Sequence, residues 1–356
     1  MLNLKSVVPY LLDNGLLDAR TVVRHSVRVQ EYSRRNLNYL VLIDDSGYFV
    51  KQGLGAKRYT VGTEALAYSF LAGLGSLRRY LVPLLHFDPD RAIEVFDLVP
   101  SATSFRNHYM RTGRFQLLFA KHVGRALADL HRRPAAAVPT ALNQGPAECL
   151  SLHRPPALIL DNTSRAGLKV VSMMQSASGL GEALDSAASD WRSEALIHCD
   201  MRWDNCLVFP PVGATRRTRL KLIDWELARW GDPAWDLGSV FAEYLGAWLT
   251  SIPTSAEQPP DQVLDLAKVP IERVHTQVNV LWKAYRAVGD IASDESPELR
   301  RRATRFAGAR LIQSSFERAD RSSRPSVSSV VLLQAGYNML VRPLEASTHL
   351  LGLNGS

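Results

Sequence analysis

Three short stretches carry residues whose types and spacing suit one chemistry. His198-Cys199-Asp200-Met201-Arg202-Trp203-Asp204-Asn205 gives an H-x-D-x-x-x-x-N spacing between two short strand-like runs. Ile223-Asp224-Trp225-Glu226 puts an acidic residue at the end of a hydrophobic run, and Gly231-Asp232-Pro233-Ala234-Trp235-Asp236-Leu237 leads into a helical pattern. Phosphoryl transfer asks for such a set. Its transition state is loose, with charge spread over the phosphate oxygens, so catalysis is mostly positioning and charge neutralisation. Asp200 is the type of group that orients an attacking hydroxyl. Magnesium takes hard oxygen ligands and keeps several waters, and Asn205 and Asp224 can supply two such oxygens from neighbouring loop ends. His198 reads as a brace of the loop, and Asp236 as a brace of the same loop or a helix cap.

A nucleotide-binding half is expected upstream. Lys51 lies in Tyr48-Phe49-Val50-Lys51-Gln52, whose alternation can bring the ammonium under a sheet toward ATP phosphates, and Glu64 in the following helix is its candidate partner. A G-x-G-x-x-G loop is absent. The candidate phosphate-covering turn is Tyr32-Ser33-Arg34-Arg35-Asn36, which is also readable as an ordinary hairpin turn. Asp97 to Pro100, with Asp97 and Val99 as candidates, offers backbone groups to adenine.

These residues need elements to hold them. Strand-like alternation marks Val23–Gln30, Asn36–Asp44, Gly47–Gln52, Tyr80–His86 and Ala92–Leu98, with a turn at Asp45-Ser46-Gly47 and one helix over Thr60–Leu74. After Pro100 the pattern becomes helical: Arg114–His131, Gly179–Trp191, Asp236–Leu249, Pro270–Val288, Pro297–Ala319 and Ser328–Arg342, which Pro343 would end. Pro134–Pro156 reads as loop. Short strands are expected at Ala195–His198, Cys206–Phe209 and Arg219–Ile223. The sum is an α+β chain: a small antiparallel β-sheet lobe with one helix over residues 1–98, binding nucleotide, and a larger helical lobe over 99–356, holding the catalytic loop and the acceptor site.

Composition sets outer limits. The 356 residues are 46% hydrophobic and 22% charged, as in globular proteins. No apolar run reaches the length of a membrane span, and the N-terminus lacks the pattern of an export signal. Cys149, Cys199 and Cys206 form no C-x-x-C pair, so a reducing cytoplasm is expected and neither a disulfide framework nor a zinc knuckle. The net charge of +7 gathers at Arg216–Lys221 and Arg300–Arg310. Without interleaved aromatics or a recognition motif these clusters do not predict nucleic-acid binding; a solvated basic face or an anionic partner accounts for them.

The set resembles the aminoglycoside phosphotransferase and choline kinase-like superfamily. The resemblance runs from about Asn36 to Tyr244 and rests on the Lys51/Glu64 pair, Leu127-Ala128-Asp129-Leu130-His131, Ile197 to Val208, and Leu222 to Val240. It implies a bilobal protein-kinase-like fold, ATP with Mg2+, and transfer to a hydroxyl. By motif position Asp200 would be the catalytic aspartate, Asn205 and Asp224 the metal ligands, Lys51 the phosphate ligand and Glu64 its partner. Two positions depart from the family pattern. Cys199 stands where Gly is usual, and Arg202 where His is common. Arg202 is either a second cation for the transferred phosphate or a surface arginine.

Asp224 to Pro253 is similar to the phosphotransferase components of class V lanthipeptide and thioamitide pathways. This resemblance implies a Ser or Thr hydroxyl of a ribosomal precursor peptide as acceptor, with a separate lyase as partner to eliminate the phosphate. Two other readings stand beside it: a kinase for a small alcohol (an aminoglycoside, a choline-like alcohol or a sugar), and a non-catalytic binding module. The acidic residues between Gln258 and Glu298 would suit a cationic acceptor, but basic Arg300–Arg310 follows directly, so charge along the sequence does not choose.

Overall fold

The computed structural model describes residues 1–33, 36–132, 139–142, 145–209, 219–253, 266–291 and 295–353. Arg34 and Arg35 of the candidate turn, Arg216 and Arg217 of the basic cluster, and Asp261, Asp265 and Asp294 lie outside them. The chain divides into two compact units. One holds Met1–Thr112, Val138–Leu142 and Asp204–Ala228, and the other holds the rest.

In the first unit five antiparallel strands pair in the order β1-β2-β3-β5-β4: β1 (Val27–Glu31), β2 (Leu37–Ile43), β3 (Ser46–Gln52), β4 (Leu84–Asp88) and β5 (Ile93–Asp97). Alternation gives the sheet two unlike faces. Tyr39, Val41, Ile43, Val50, Ile93 and Val95 form an apolar face, covered by Leu2, Val7, Tyr10, Leu11 and Leu17. Val7, Tyr10 and Leu11 lie on α1 (Val7–Asp13). Opposite, Lys51 pairs across the ladder with Glu94, and Phe49 with Phe96. This second face meets α3 (Lys57–Ala72), where the Tyr68 and Phe96 rings lie 5.0 Å apart. Two short strands, β8 (Cys206–Phe209) and β9 (Arg219–Leu222), pair antiparallel, and β6 (Thr103–Ser104) adds to β8 just before α4 (Phe105–Thr112).

Several boundaries differ from the sequence expectation. α2 (Ala19–Arg24) takes Val23, which alternation alone assigned to a strand. Asp18 accepts the Thr21 N–H and caps that helix, so the turn wins locally. The β2–β3 turn is Asp44-Asp45. Asp44 has φ 50°, and Ser46 and Gly47 already belong to β3. A two-residue loop needs positive φ, which Asp tolerates.

The second unit is helical apart from the paired strands β7 (Ala195–Ile197) and β10 (Arg229–Gly231). Its helices are α5 (Leu117–His131), α6 (Ala157–Asp161), α7 (Arg165–Ser176), α8 (Leu180–Ser189), α9 (Pro233–Leu249), α10 (Glu272–Gly289), α11 (Ser296–Asp320), α12 (Val327–Val341) and α13 (Pro343–His349). α9 is hydrophobic nearly all round and central. Its start is set by Asp232, whose carboxylate accepts the Ala234 N–H, with Pro233 at the first helical position. α11 and α12 approach closely at Gly308 and Gly336, where a Cβ on either would lie 2.6 Å from the other's carbonyl oxygen. Pro343 ends α12 as expected, but it also opens α13. α4, α6 and α7 are further helices that apolar spacing did not single out. Among the described residues no helix is long and apolar enough to cross a membrane.

Candidate active site

The site residues fall on both units, and each half is built locally. In the first unit Lys51 is the hub. Its side chain is 7% exposed. Its Nζ donates to Glu64 Oε2 at 2.6 Å and to Asp224 Oδ1 at 2.7 Å, with Glu226 Oε2 at 3.5 Å. Burial pushes the ammonium toward neutrality, but Glu64, Asp224, Glu226 and Glu94 outweigh it and hold Lys51 well above its ordinary range. Lys51 is therefore a fixed cation. Glu64 also accepts the Trp225 N–H on Oε1 at 3.1 Å, which ties α3 to the segment after β9. Asp224 has φ 65°, an uncommon conformation for a non-glycine residue and one frequent at functional sites. Its side chain is 37% exposed.

Asn205 lies at the start of β8. Its carbonyl accepts the Ile223 N–H at 3.0 Å, and the next pair in register is Cys206 with Leu222. Strand pairing thus brings the Asn205 and Asp224 segments together, and both residues offer oxygen donors. That donor set fits magnesium, which takes one or two protein ligands and completes its shell with water and phosphate. Among the described residues no three His, Cys, Asp or Glu side chains form a self-sufficient metal cage.

The other nucleotide-side candidates are placed less tightly. Asn36 Nδ2 lies 3.4 Å from Glu226 Oε2, on the edge of this cluster. Ser33 Oγ accepts the Asn38 N–H and braces its own turn. Asp97 donates its N–H to the Pro83 carbonyl, and the Val99 carbonyl accepts from Ala102.

In the second unit the loop after β7 is organised by Asp236 of α9. This fully buried carboxylate accepts the N–H groups of His198 (2.8 Å) and Cys199 (2.9 Å), and lies 3.2 Å from His131 Nε2. His198 Nδ1 accepts the Asp200 N–H at 3.3 Å, and Trp235 Nε1 donates to the Cys199 carbonyl. The loop is held by its backbone, so its shape depends little on the side chain at 199. Cys199 nevertheless has φ 67°, where glycine is favoured. Cys199→Gly should therefore stay within about 1 kcal/mol of wild type, the relieved conformation offsetting the lost thiol burial. Branched Cys199→Val should lose about 2 kcal/mol. Denaturant midpoints of the two variants check this, and a reversed order would reject it.

Asp200 sits in a polar ring. Its Oδ1 accepts from Arg202 Nε (2.8 Å) and from Arg310 Nη2 (3.0 Å). Arg202 in turn grips Glu317 with both terminal nitrogens (2.6 and 2.5 Å). Gln313 accepts from Arg310 and donates to Glu317. Burial raises the Asp200 carboxyl's affinity for a proton, but the two guanidiniums override it and hold the group well below the ordinary carboxylate range. Asp200 is a permanent anion that orients and does not store a proton. Arg202 is not a solvated surface arginine, because it bridges Asp200 to α11.

Glu226, Glu94, Arg310, Gln313 and Glu317 were not singled out by sequence reasoning. Glu226 had a visible signal, two positions after Asp224. Arg310, Gln313 and Glu317 share one helix face by their spacing, but spacing does not say what that face meets.

A buried lysine–carboxylate hub and a braced aspartate loop, on a β-sheet unit and a helical unit, define a bilobal α+β kinase fold. The pattern of the phosphotransferase enzyme family matches residues 29–259, and the chain belongs to that family. It is accordingly an ATP-dependent phosphotransferase, a kinase acting on a hydroxyl. No curated protein matches it in sequence. Solved structures share its fold at low identity. A choline/ethanolamine kinase family protein from Mesorhizobium loti is 17% identical, with TM-score 0.53 and 99% of each chain covered. Plasmodium vivax ethanolamine kinase is 14% identical, with TM-score 0.59 over 93% of this chain and 87% of that one. The choline kinase LicA of Streptococcus pneumoniae is 14% identical, with TM-score 0.50 over 94% and 99%.

Proposed function

We propose that this kinase phosphorylates a Ser or Thr hydroxyl of a precursor peptide, and that a separate lyase eliminates the phosphate afterwards. The observation that carries the choice of acceptor is the ring around Asp200. Two guanidiniums, Arg202 and Arg310, touch its carboxylate, and Glu317 leaves the cluster neutral overall. A quaternary ammonium or a polyamine gains no net attraction from a neutral cluster beside the attacked position. A neutral Ser or Thr side chain needs no such attraction.

In this reading Asp200 accepts the hydroxyl hydrogen bond and aims its oxygen at the terminal phosphorus. The new O–P bond forms as the bond to the ADP oxygen breaks. With its affinity for protons held low, Asp200 passes the hydroxyl proton on to the phosphoryl oxygens. Lys51, held by Glu64, contacts the nucleotide phosphates. Asn205 and Asp224 hold Mg2+, which when bound neutralises phosphate charge. Arg202 adds a cation on the acceptor side. Asp97 and Val99 offer backbone groups to adenine, and Ser33 and Asn36 border the phosphates.

The test is incubation with ATP, Mg2+ and a Ser/Thr-rich precursor peptide, in parallel with choline, ethanolamine and aminoglycosides. Added phosphate mass on the peptide is expected. Transfer confined to the cationic alcohols would reject the peptide reading and leave the kinase assignment standing.

A further inference from the structure

Arg202 serves two carboxylates and serves them differently. Its terminal nitrogens Nη1 and Nη2 close on Glu317 at 2.6 and 2.5 Å, and Asp200 Oδ1 receives its Nε at 2.8 Å. A guanidinium offers five N–H groups in one rigid plane, and a carboxylate pairs most strongly with two of them side by side. Asp200 lies two positions from Arg202 in sequence, whereas Glu317 comes from α11, 115 positions away. The distant carboxylate nevertheless holds the two-point pairing.

One face of α11 braces this arrangement. Gln313 Nε2 donates to Glu317 Oε1 at 2.9 Å, Gln313 Oε1 accepts Arg310 Nη1 at 2.6 Å, and Arg310 Nη2 donates to Asp200 Oδ1 at 3.0 Å. Positions 310, 313 and 317 are helix neighbours, three and four apart. The same face thus supplies a cation to Asp200 and an anion to Arg202. The Arg310 side chain is buried, with its Cζ 5.7 Å from the centre of the Trp235 ring. Burial raises the proton affinity of Glu317, but Arg202 and then Arg310 outweigh it and hold the carboxyl below its ordinary range. Glu317 is therefore a fixed anion at neutral pH.

We infer that Glu317 is a positioning residue for phosphoryl transfer: by occupying the fork of Arg202 it keeps that arginine from closing on both oxygens of Asp200. An arginine paired at two points with Asp200 would cap the carboxylate that has to accept the acceptor hydroxyl. The closing movement is small. Nε already meets Oδ1, and a turn of the guanidinium brings a terminal nitrogen to the second oxygen, the side-on form of the same pairing. Glu317 acts through Arg202 and needs no contact with acceptor or nucleotide. The inference rests on Asp200 being the group that orients the hydroxyl, as proposed above, and holds equally for a peptide or a small alcohol.

Glu317→Ala in the full chain tests this, with whichever of the precursor peptide, choline, ethanolamine and aminoglycosides the wild type phosphorylates. Single-turnover transfer at saturating ATP should slow about 10–100-fold, while ATP affinity stays near wild type. The discriminating protein is the double variant Glu317→Ala/Arg202→Lys. Lysine keeps the cation but has no fork, so it cannot cap Asp200 at two points. The double variant should transfer phosphate about five- to tenfold faster than Glu317→Ala. A merely structural Glu317 would give losses that multiply, leaving the double variant slowest. In a crystal structure of Glu317→Ala, Arg202 should lie across both Asp200 oxygens. A double variant no faster than Glu317→Ala would overturn the proposal, as would wild-type transfer by Glu317→Ala or an Arg202 that still meets Asp200 through Nε alone. Should Glu317→Ala not fold, Glu317→Gln carries the same expectations, since its amide accepts from one Arg202 nitrogen and turns N–H groups on the other. Near-wild-type transfer by Asp200→Asn would instead reject the role given to Asp200, and the positioning role with it.

Discussion

Asp200→Asn should lower phosphoryl transfer by about 10²–10⁴-fold while ATP affinity stays near wild type. The amide keeps the size of the carboxylate but loses its charge, and it presents an oxygen that Arg202 and Arg310 will still claim. What remains toward a hydroxyl acceptor is a poor orienting group. Nucleotide binding should persist because Lys51, Glu64 and Asp224 are held by contacts that do not involve Asp200. A structural cost is also expected. Asp200 is held below its ordinary value of 3.8, so its charge contributes stability above that pH, and the contribution disappears as acid protonates the folded group. The stability gap between wild type and Asp200→Asn should therefore close on acidification. Single-turnover kinetics, ATP titration and thermal unfolding at several pH values read the three effects separately. Turnover within tenfold of wild type would remove Asp200 from the chemistry.

Lys51→Met should be the most damaging change in the first unit. Removing the cation leaves Glu64 buried without its charge partner, and breaking a buried pair in this way costs about 3–5 kcal/mol. Part of that cost is avoidable, because the stranded carboxyls can take up protons. The loss of stability should therefore shrink as pH falls. ATP affinity should drop at least about tenfold, the worth of one lost charge-assisted hydrogen bond. Adding Glu64→Leu to Lys51→Met removes the stranded carboxylate and should restore part of the stability but none of the affinity. Calorimetric ATP titration of the single and double variants makes the comparison. A Lys51→Met protein that binds ATP like wild type would dismantle the nucleotide half as drawn.

The peptide acceptor and the tolerance of glycine at 199 test different contacts, so failure of one leaves the other standing. The charged ring on Asp200 bears on the acceptor. The positive φ at 199 bears only on the shape of the loop.

Much of this protein was decided by residue order. Alternation over β2, β3 and β5 specified both faces of the sheet, because a pleated strand sends successive side chains to opposite sides. The Lys51/Glu64 pairing followed from a strand lysine and a helix glutamate thirteen positions apart in sequence. The spacing from Asp200 to Asn205, and the acidic strand end at Asp224, were legible because short segments fix them. What tertiary structure alone decided is which groups share a dry interior. Glu94 reads as one polar residue in an apolar strand until the ladder sets it opposite Lys51. Arg310 and Glu317 read as a basic helix with a stray acid until α11 presents them to Asp200. Local pattern reports which way a side chain points, but an ionisable group answers to whatever lies within a few ångströms in space, and those neighbours come from segments distant in sequence.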